Sequence, residues 1–371
     1  MLSRLLAIPG ISYIDNMLQA ARDAGCNCFR RPWQGSRPAV AYVVKALAVC
    51  GGLETRLAAY AESLSRQGCR VVFVTERNRC QAIRRHYECV HINFHARNFG
   101  AALVRKVRSL GIDTVEFQVK SRRFMYGLSL GELNRHCRVG CVIHGDIPSL
   151  DMDVLAAMDY RIVISDRLCH IDYVRLGDYR VIPNSVGEQT PVWKYCGQKE
   201  ALIISRIKGD KYRQISSAVE FCLARGIPFT IAGPHSRGGA ARRLRRKYGL
   251  HRGVFTRRPI STVEYLNRNA GRYLFVAGVG QVLLEAGALG YPCLLASDSG
   301  PDMSTFLTRD NIHGNFGRNL TLAYPGERHR AVRVGEIVVP ELHRYDISQY
   351  ISTQFALSDR VREYKEYARI P

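Results

Sequence analysis

What most constrains this chain is that short apolar runs alternate with segments of helical period along almost its whole length. Ala41 to Val49 is a strand-like run, Gly51-Gly52 makes a sharp turn, and Glu54 to Arg66 sets Leu57, Ala58, Ala61 and Leu64 at helical spacing. Gly68 ends that helix and Arg70 to Thr75 reads as a buried strand, which completes a β-α-β unit. The alternation continues through a helix over Phe99 to Leu110, a strand over Thr114 to Val119 and a helix over Leu128 to Cys137. Strands over Gly140 to His144 and Arg161 to Ser165 follow. Parallel crossovers need a connection long enough for a helix, so the pattern predicts a parallel sheet covered on both faces.

A polar stretch, Gly187 to Glu200, follows Val181-Ile182-Pro183-Asn184 and reads as a hinge. A second alternation then begins: strand Ala201 to Ser205, helix Tyr212 to Arg225, strand Phe229 to Ala232, helix Gly239 to Tyr248. Strand Tyr273 to Val276, helix Gly280 to Leu289 and strand Pro292 to Ser297 complete it. Ser348 to Ala368 reads as one helix that packs back across the hinge. With 371 residues the chain exceeds the roughly 250–300 at which a single core stops growing, so two domains are expected. The expected division is an extension over 1–38, Rossmann-like domains over 39–188 and 189–345, and a C-terminal crossover helix over 346–371.

The balance of 54 Lys and Arg against 32 Asp and Glu leaves a formal charge of +22, so the surface field attracts anions. The densest basic run, Arg242, Arg243, Arg245, Arg246 and Lys247, lies on an expected surface helix. It reads either as a solvated face or as a contact for an anionic membrane. No reading helix or basic strand interleaved with aromatics points to nucleic acid, so none is expected as a partner. The 12 cysteines show no paired zinc-ligand spacing and no disulfide framework, which points to no metal site and to a reducing cytoplasm. Met1 to Gln19 is broken by Pro9 and Asp15 and is too polar for a spanning helix, so any membrane association is expected to be peripheral, on the inner face of the plasma membrane.

In open parallel sheets ligands bind beyond the carboxyl ends of the strands, so the turns there carry the chemistry. Gly51-Gly52 joins a strand to a helix and lets backbone approach an anion at the helix N-terminus; a merely tight turn is the plain alternative. Arg206 directly follows the first strand of the second alternation and Lys211 comes five residues later. A planar fork and a point charge at that position suit one diphosphate. In Gly278-Val279-Gly280-Gln281-Val282-Leu283-Leu284-Glu285-Ala286 the carboxylate sits among apolar neighbours and needs a defined partner, either a ribose diol or a local arginine. His144-Gly145-Asp146 ends a strand of the first alternation and faces the same way, with a catalytic or acceptor-binding role set against a satisfied surface histidine.

Taken in order over roughly residues 41 to 368, these segments resemble the retaining glycosyltransferases of the GT-B fold, specifically the large family four that uses nucleotide sugars. The GG-x-E turn is Gly51, Gly52 and Glu54, the V-I-P-N strand end is Val181 to Asn184, and I-A-G is Ile231 to Gly233. The family's G-R-L-x-x-x-K-G segment corresponds to Ser205-Arg206-Ile207-Lys208-Gly209-Asp210-Lys211-Tyr212. The resemblance implies an α/β fold of two Rossmann-like domains facing a central cleft, the first on the acceptor side and the second binding a UDP- or GDP-sugar. It implies transfer with retention, no required cofactor or metal, and Arg206, Lys211 and His144 as catalytic residues. Donor contacts are then expected from Gly51, Gly52, Arg206, Lys211, Gly233, Gly278, Gly280, Val282, Leu283 and Glu285, and acceptor contacts from Glu116, Gln118, His144 and Asp146. The implied acceptor is a glycan or a lipid-linked glycan of surface polysaccharide or lipopolysaccharide synthesis. Two positions depart from the family: the first Glu of its E-x7-E motif is Ala277 here, and Gln118 stands where relatives often carry His in an H-x-H pattern.

Two other functions fit the same residues. A nucleotide-sugar 2-epimerase would bind the same donor without an acceptor, and a non-catalytic basic binding protein descended from a transferase would need neither.

Overall fold

The structure is a computed structural model that describes residues 37–48, 51–96, 98–119, 130–145, 152–165, 168, 177–197, 199–234, 239–250, 255–256, 261–316 and 346–370. Asp146 and residues 1–36 of the expected extension over 1–38 lie outside the described residues. The strands of the first lobe are β1 (Ala39–Leu47), β2 (Arg70–Asn78), β3 (Glu88–His91), β4 (Thr114–Val119), β5 (Arg138–Ile143), β6 (Tyr160–Val163) and β7 (Arg180–Val181). Helices α1 (Gly52–Arg66), α2 (Gln81–His86), α3 (Phe99–Ser109), α4 (Leu130–Leu133) and α5 (Met152–Ala156) connect them. The second lobe has β8 (Glu200–Ile204), β9 (Phe229–Ala232), β10 (Phe255–Thr256), β11 (Tyr273–Gly278), β12 (Cys293–Leu295) and β13 (Thr305–Phe306). Its helices are α6 (Tyr212–Leu223), α7 (Gly239–Tyr248), α8 (Thr262–Arg268), α9 (Gln281–Ala288) and α10 (Ile312–Phe316); α11 (Ser348–Gln354) and α12 (Leu357–Ala368) follow.

The first sheet runs β3-β2-β1-β4-β5-β6-β7 and is parallel throughout. The second runs β10-β9-β8-β11-β12-β13, parallel except for the β12/β13 pair. Each order reverses direction once, between β1 and β4 and again between β8 and β11, and helices leave opposite faces on either side of such a switch point. The crevice this opens at the carboxyl ends of the strands is where both sets of candidate residues fall. Burial on both faces explains why the β1 segment Ala39 to Val44 reads as a continuous apolar run; β4 is equally buried although Glu116 and Gln118 alternate with its apolar residues.

The chain crosses between the lobes twice, and the two crossings hold each other. Val186 pairs with Ala356 in an isolated parallel bridge: the Val186 N–H donates to the Phe355 carbonyl and the Leu357 N–H to the Val186 carbonyl, both at 3.0 Å. The single helix expected over Ser348 to Ala368 is therefore two. Phe355 and Ala356 leave helical geometry where the Phe355 carbonyl and the Leu357 N–H are taken up by Val186. On one side α11 buries Ile351 in the second lobe against Gly287, where a Cβ would come within 2.5 Å of Ile351 Cδ1, so the absent side chain is what lets α11 close on α9. On the other, α12 inserts Val361, Tyr364 and Ala368 into the first-lobe core.

The helix expected over Leu128 to Cys137 is, within the described residues, confined to Leu130–Leu133. Pro191 and Trp193 in the polar stretch pack on the second lobe, where the Trp193 ring nitrogen donates to the Tyr273 carbonyl at 3.1 Å. Tyr364 is fully buried, its ring 5.5 Å from that of Tyr60. Tyr364→Ala is expected to lower stability by about 3–5 kcal/mol in urea unfolding. An unchanged midpoint would show that α12 is not part of the first-lobe core.

Candidate functional site

Arg206 and Lys211 stand beyond the carboxyl end of β8, where the chain turns through a short 3-10 segment, Gly209–Lys211, into α6. Arg206 is partly exposed, and its Nη2 lies 3.5 Å from an Asp210 carboxylate oxygen that is itself well solvated. Such an exposed pair contributes little stability and leaves the guanidinium available to a stronger anion. Burial holds the Lys211 amine below the ordinary lysine range and Arg206 lowers it further; Asp210 and Asp298 act against that shift. The turn thus keeps two cations near one another in a partly desolvated place, where an added anion is favourable.

Three glycines shape the floor beside them. Gly233 directly follows β9 with φ +146, and a Cβ there would lie 1.9 Å from the Ser205 carbonyl oxygen, so only glycine permits β8 and β9 to end side by side below Arg206. Gly278 ends β11 with an absent Cβ that would sit 3.0 Å from the Ile204 carbonyl oxygen. Gly280 takes φ 63 at the start of α9, which turns the chain sharply from strand to helix. Val282 is half-buried, whereas Leu283 lies wholly in the core and offers only its backbone to this edge.

Glu285 is nearly enclosed on α9. Its Oε1 accepts from Gln281 Nε2 at 3.2 Å; burial raises its carboxyl above the usual range, and the Thr262 hydroxyl and Gln281 amide oppose that. No arginine is among these partners. The same Gln281 amide donates to the Ser185 carbonyl at 3.0 Å, and a Cβ on Gly52 would lie 3.4 Å from Gln281 Cβ. Gln281 therefore joins the second lobe to the crossing segment and to the first-lobe turn. That turn is held by Glu54, whose Oε1 accepts the Ala48 N–H at 2.9 Å and whose other oxygen fills the space a Gly51 side chain would need.

Across the seam, β4 and β5 bring Glu116, Gln118 and His144 together. Gln118 Oε1 is 2.7 Å from His144 Nε2, and Gln118 Nε2 donates to Glu116 Oε1. Glu116 and Gln118 are each 2% exposed, so His144, at intermediate burial, is the member of the three that reaches the surface of the sheet edge.

Ala277 is fully buried, in a core cluster with Phe275, Leu294 and Phe306. Its surroundings form an apolar socket. Sequence reasoning missed Gln281, Ser185 and Asp298. A polar residue directly after Gly-Val-Gly was a usable signal for Gln281, but nothing local marks Ser185. Among the described residues no three His, Cys, Asp or Glu side chains gather as a metal site.

No family model matches the chain, and no curated protein matches its sequence. Solved structures do match its fold. A glycosyltransferase from Rickettsia africae superposes with a TM-score of 0.63 at 13% identity, covering 90% of this chain and 98% of its own. The apo form of the lipopolysaccharide outer core galactosyltransferase WaaB gives 0.55 at 14% identity, covering 89% and 98%. A Listeria monocytogenes protein assigned as a UDP-N-acetylglucosamine 2-epimerase gives 0.54 at 12% identity, covering 89% and 95%. The architecture is thus that of the GT-B glycosyltransferases: two Rossmann-like lobes about a cleft, with the C-terminal helix returned to the first. At these identities the likeness establishes the fold alone.

Proposed function

We propose that the protein transfers a sugar, with retention of anomeric configuration, from a UDP- or GDP-sugar to a hydroxyl of a glycan or lipid-linked acceptor. The observation that carries this reading is the placement of Arg206 and Lys211 at a switch point of the second sheet, with the Lys211 charge disfavoured until an anion arrives. In this reading the two cations grip the donor diphosphate, stabilise the charge that grows on it as the glycosidic bond breaks, and leave its oxygen to take the acceptor proton. Glu285 receives the ribose hydroxyls, and the backbone at Gly51, Gly52, Gly233, Gly278 and Gly280 lets the nucleotide approach. His144 faces the reacting sugar or the acceptor. With Ala277 apolar, recognition of the donor sugar falls to other groups. The reaction needs no metal, because the cations supply the charge.

Support for a glycan acceptor of a surface polysaccharide comes from the fold shared with an outer core galactosyltransferase and from the net charge of +22. Among the described residues no helix is long and apolar enough to cross a membrane. A peripheral contact with anionic lipid would fall to α7, which buries Ala240, Ala241 and Leu244 and exposes Arg242, Arg243 and Arg246. Each cation near such a surface adds about 1 kcal/mol.

Incubation with a panel of nucleotide sugars tests the class. Free nucleotide that appears only with a glycan acceptor is the expected result, and isomerised donor without acceptor would select the epimerase instead. Arg206→Ala is expected to lower turnover on the order of a hundredfold or more, and a folded variant with near-normal turnover would remove Arg206 from catalysis. Lys211 gives a pH signature. Its free amine titrates below the ordinary lysine range, the cation is present below that point and lost above it, and a diphosphate binds the cation. UDP affinity measured by calorimetry should therefore begin to fall with rising pH before an ordinary lysine titrates, and Lys211→Arg should abolish that fall. An identical alkaline profile in both proteins would place the phosphates elsewhere.

A further inference from the structure

Behind His144 runs a polar chain with no direct part in the reaction above. Glu116 and Gln118 are two residues apart on β4 and so share one face of the sheet. Both Glu116 oxygens accept: Oε1 from Gln118 Nε2, and Oε2 from the Tyr160 hydroxyl at 3.3 Å. Tyr160 fits there because residue 140 is glycine; a Cβ at that position would lie 2.3 Å from the Tyr160 ring. The other groups that act on the carboxylate are Tyr42 from β1, Arg56 and Tyr60 from α1, Cys141 from β5 and Tyr364 from α12. Burial pushes Glu116 up, while Arg56, the Tyr364 hydroxyl and the Gln118 and Tyr160 donors pull it back toward the charged form. The Tyr364 hydroxyl makes no hydrogen bond of ordinary geometry there, so Gln118 and Tyr160 are the defined donors.

This arrangement has a directional consequence. Burial leaves Glu116 raised on balance, but with donors on both oxygens it is read as ionised and accepting, which turns the Gln118 amide nitrogen to Glu116 and its oxygen the other way. That oxygen lies 2.7 Å from His144 Nε2 and also only accepts, so Nε2 must carry the proton. We infer that Glu116 is a positioning residue: acting through Gln118, it holds neutral His144 as the Nε2–H tautomer and makes Nδ1 its acceptor nitrogen. Neither Glu116 nor Gln118 then contacts the acceptor, since both are enclosed and the Gln118 amide is committed at both ends. The consequence for turnover rests on the transferase reading, but the tautomer does not.

The test is 15N NMR of the full chain labelled at the histidine ring nitrogens, without substrate and above the pH at which His144 protonates. His144 is assigned by the resonance pair missing from His144→Ala. The wild type is expected to show a protonated Nε2 and an unprotonated Nδ1 as a single tautomer. In Glu116→Gln the new amide can present either nitrogen or oxygen to Gln118, so a mixture of tautomers is expected. If Glu116→Gln fails to fold, Gln118→Leu breaks the next link while it leaves Glu116 and Tyr160 in place, and the same mixture is expected. An Nδ1–H wild type, or a variant spectrum identical to the wild type, would overturn the proposal. A purely structural Glu116 would lower the melting temperature and leave the tautomer untouched. With a nucleotide sugar turned over by the wild type, each variant is expected to lose about ten- to a hundredfold in kcat, as supporting residues of this kind do, and the double variant no more than either alone. Additive losses would reject a shared path through His144. If no nucleotide sugar is turned over, the transferase reading fails while the spectra still decide the relay.

Discussion

Two like charges placed together, partly out of water, are unfavourable until something negative joins them, and the second lobe is built around such a place. Lys211 is held with its charge disfavoured by burial and by Arg206, and the exposed Asp210 only weakly offsets this. The rest of the lobe can be understood as what keeps that arrangement open. Gly233 and Gly278 remove side chains that would collide with the carbonyls of Ser205 and Ile204, so backbone edges line the space and the cations project above them. The burial cost is carried by the sheet beneath, where Ala201, Ile203, Phe275 and Ala277 are packed out of solvent.

The first lobe answers with a polar structure of a different kind. Its charged group lies under the surface: Glu116 is enclosed by tyrosines, faces Arg56, and is linked to the sheet edge through Gln118 and His144. Buried polar groups are tolerable when their partners are in place, and this cluster takes its partners from β1, β4, β6, α1 and α12. Because α12 enters the first lobe only after the chain has traversed the second, the first lobe completes its core with the last described segment. The paired crossings at Val186 and Ala356 and the Gln281 contact with Ser185 and Gly52 then act at one seam.

Much of this was legible in the sequence. The strands Thr114–Val119 and Phe229–Ala232 and the helix Gly239–Tyr248 have the bounds their patterns predict. Short elements were not readable. Glu88–His91 has one buried residue in four and sits at an edge, and Gln81–His86 is less than two turns long. The break between α11 and α12 was invisible because helical spacing continues through it, and what interrupts the helix is a backbone pairing with Val186, far away in the chain. For the candidate site, the strand ends pointed to Arg206, Lys211 and the glycines. A glutamate in a strand before a cleft reads as a ligand contact, however, and the burial of Glu116 depends on Gly140 and on tyrosines from four other elements.

Donor binding as proposed requires Arg206 and Lys211 to close on a pyrophosphate. A crystal structure of the protein grown with UDP tests this most directly. Both side chains should donate to phosphate oxygens at ordinary hydrogen-bond distances beyond β8, with the nucleotide lying along the Gly278–Gly280 edge. A UDP molecule bound with its phosphates away from both side chains, or a fully occupied site elsewhere with this edge vacant, would contradict it.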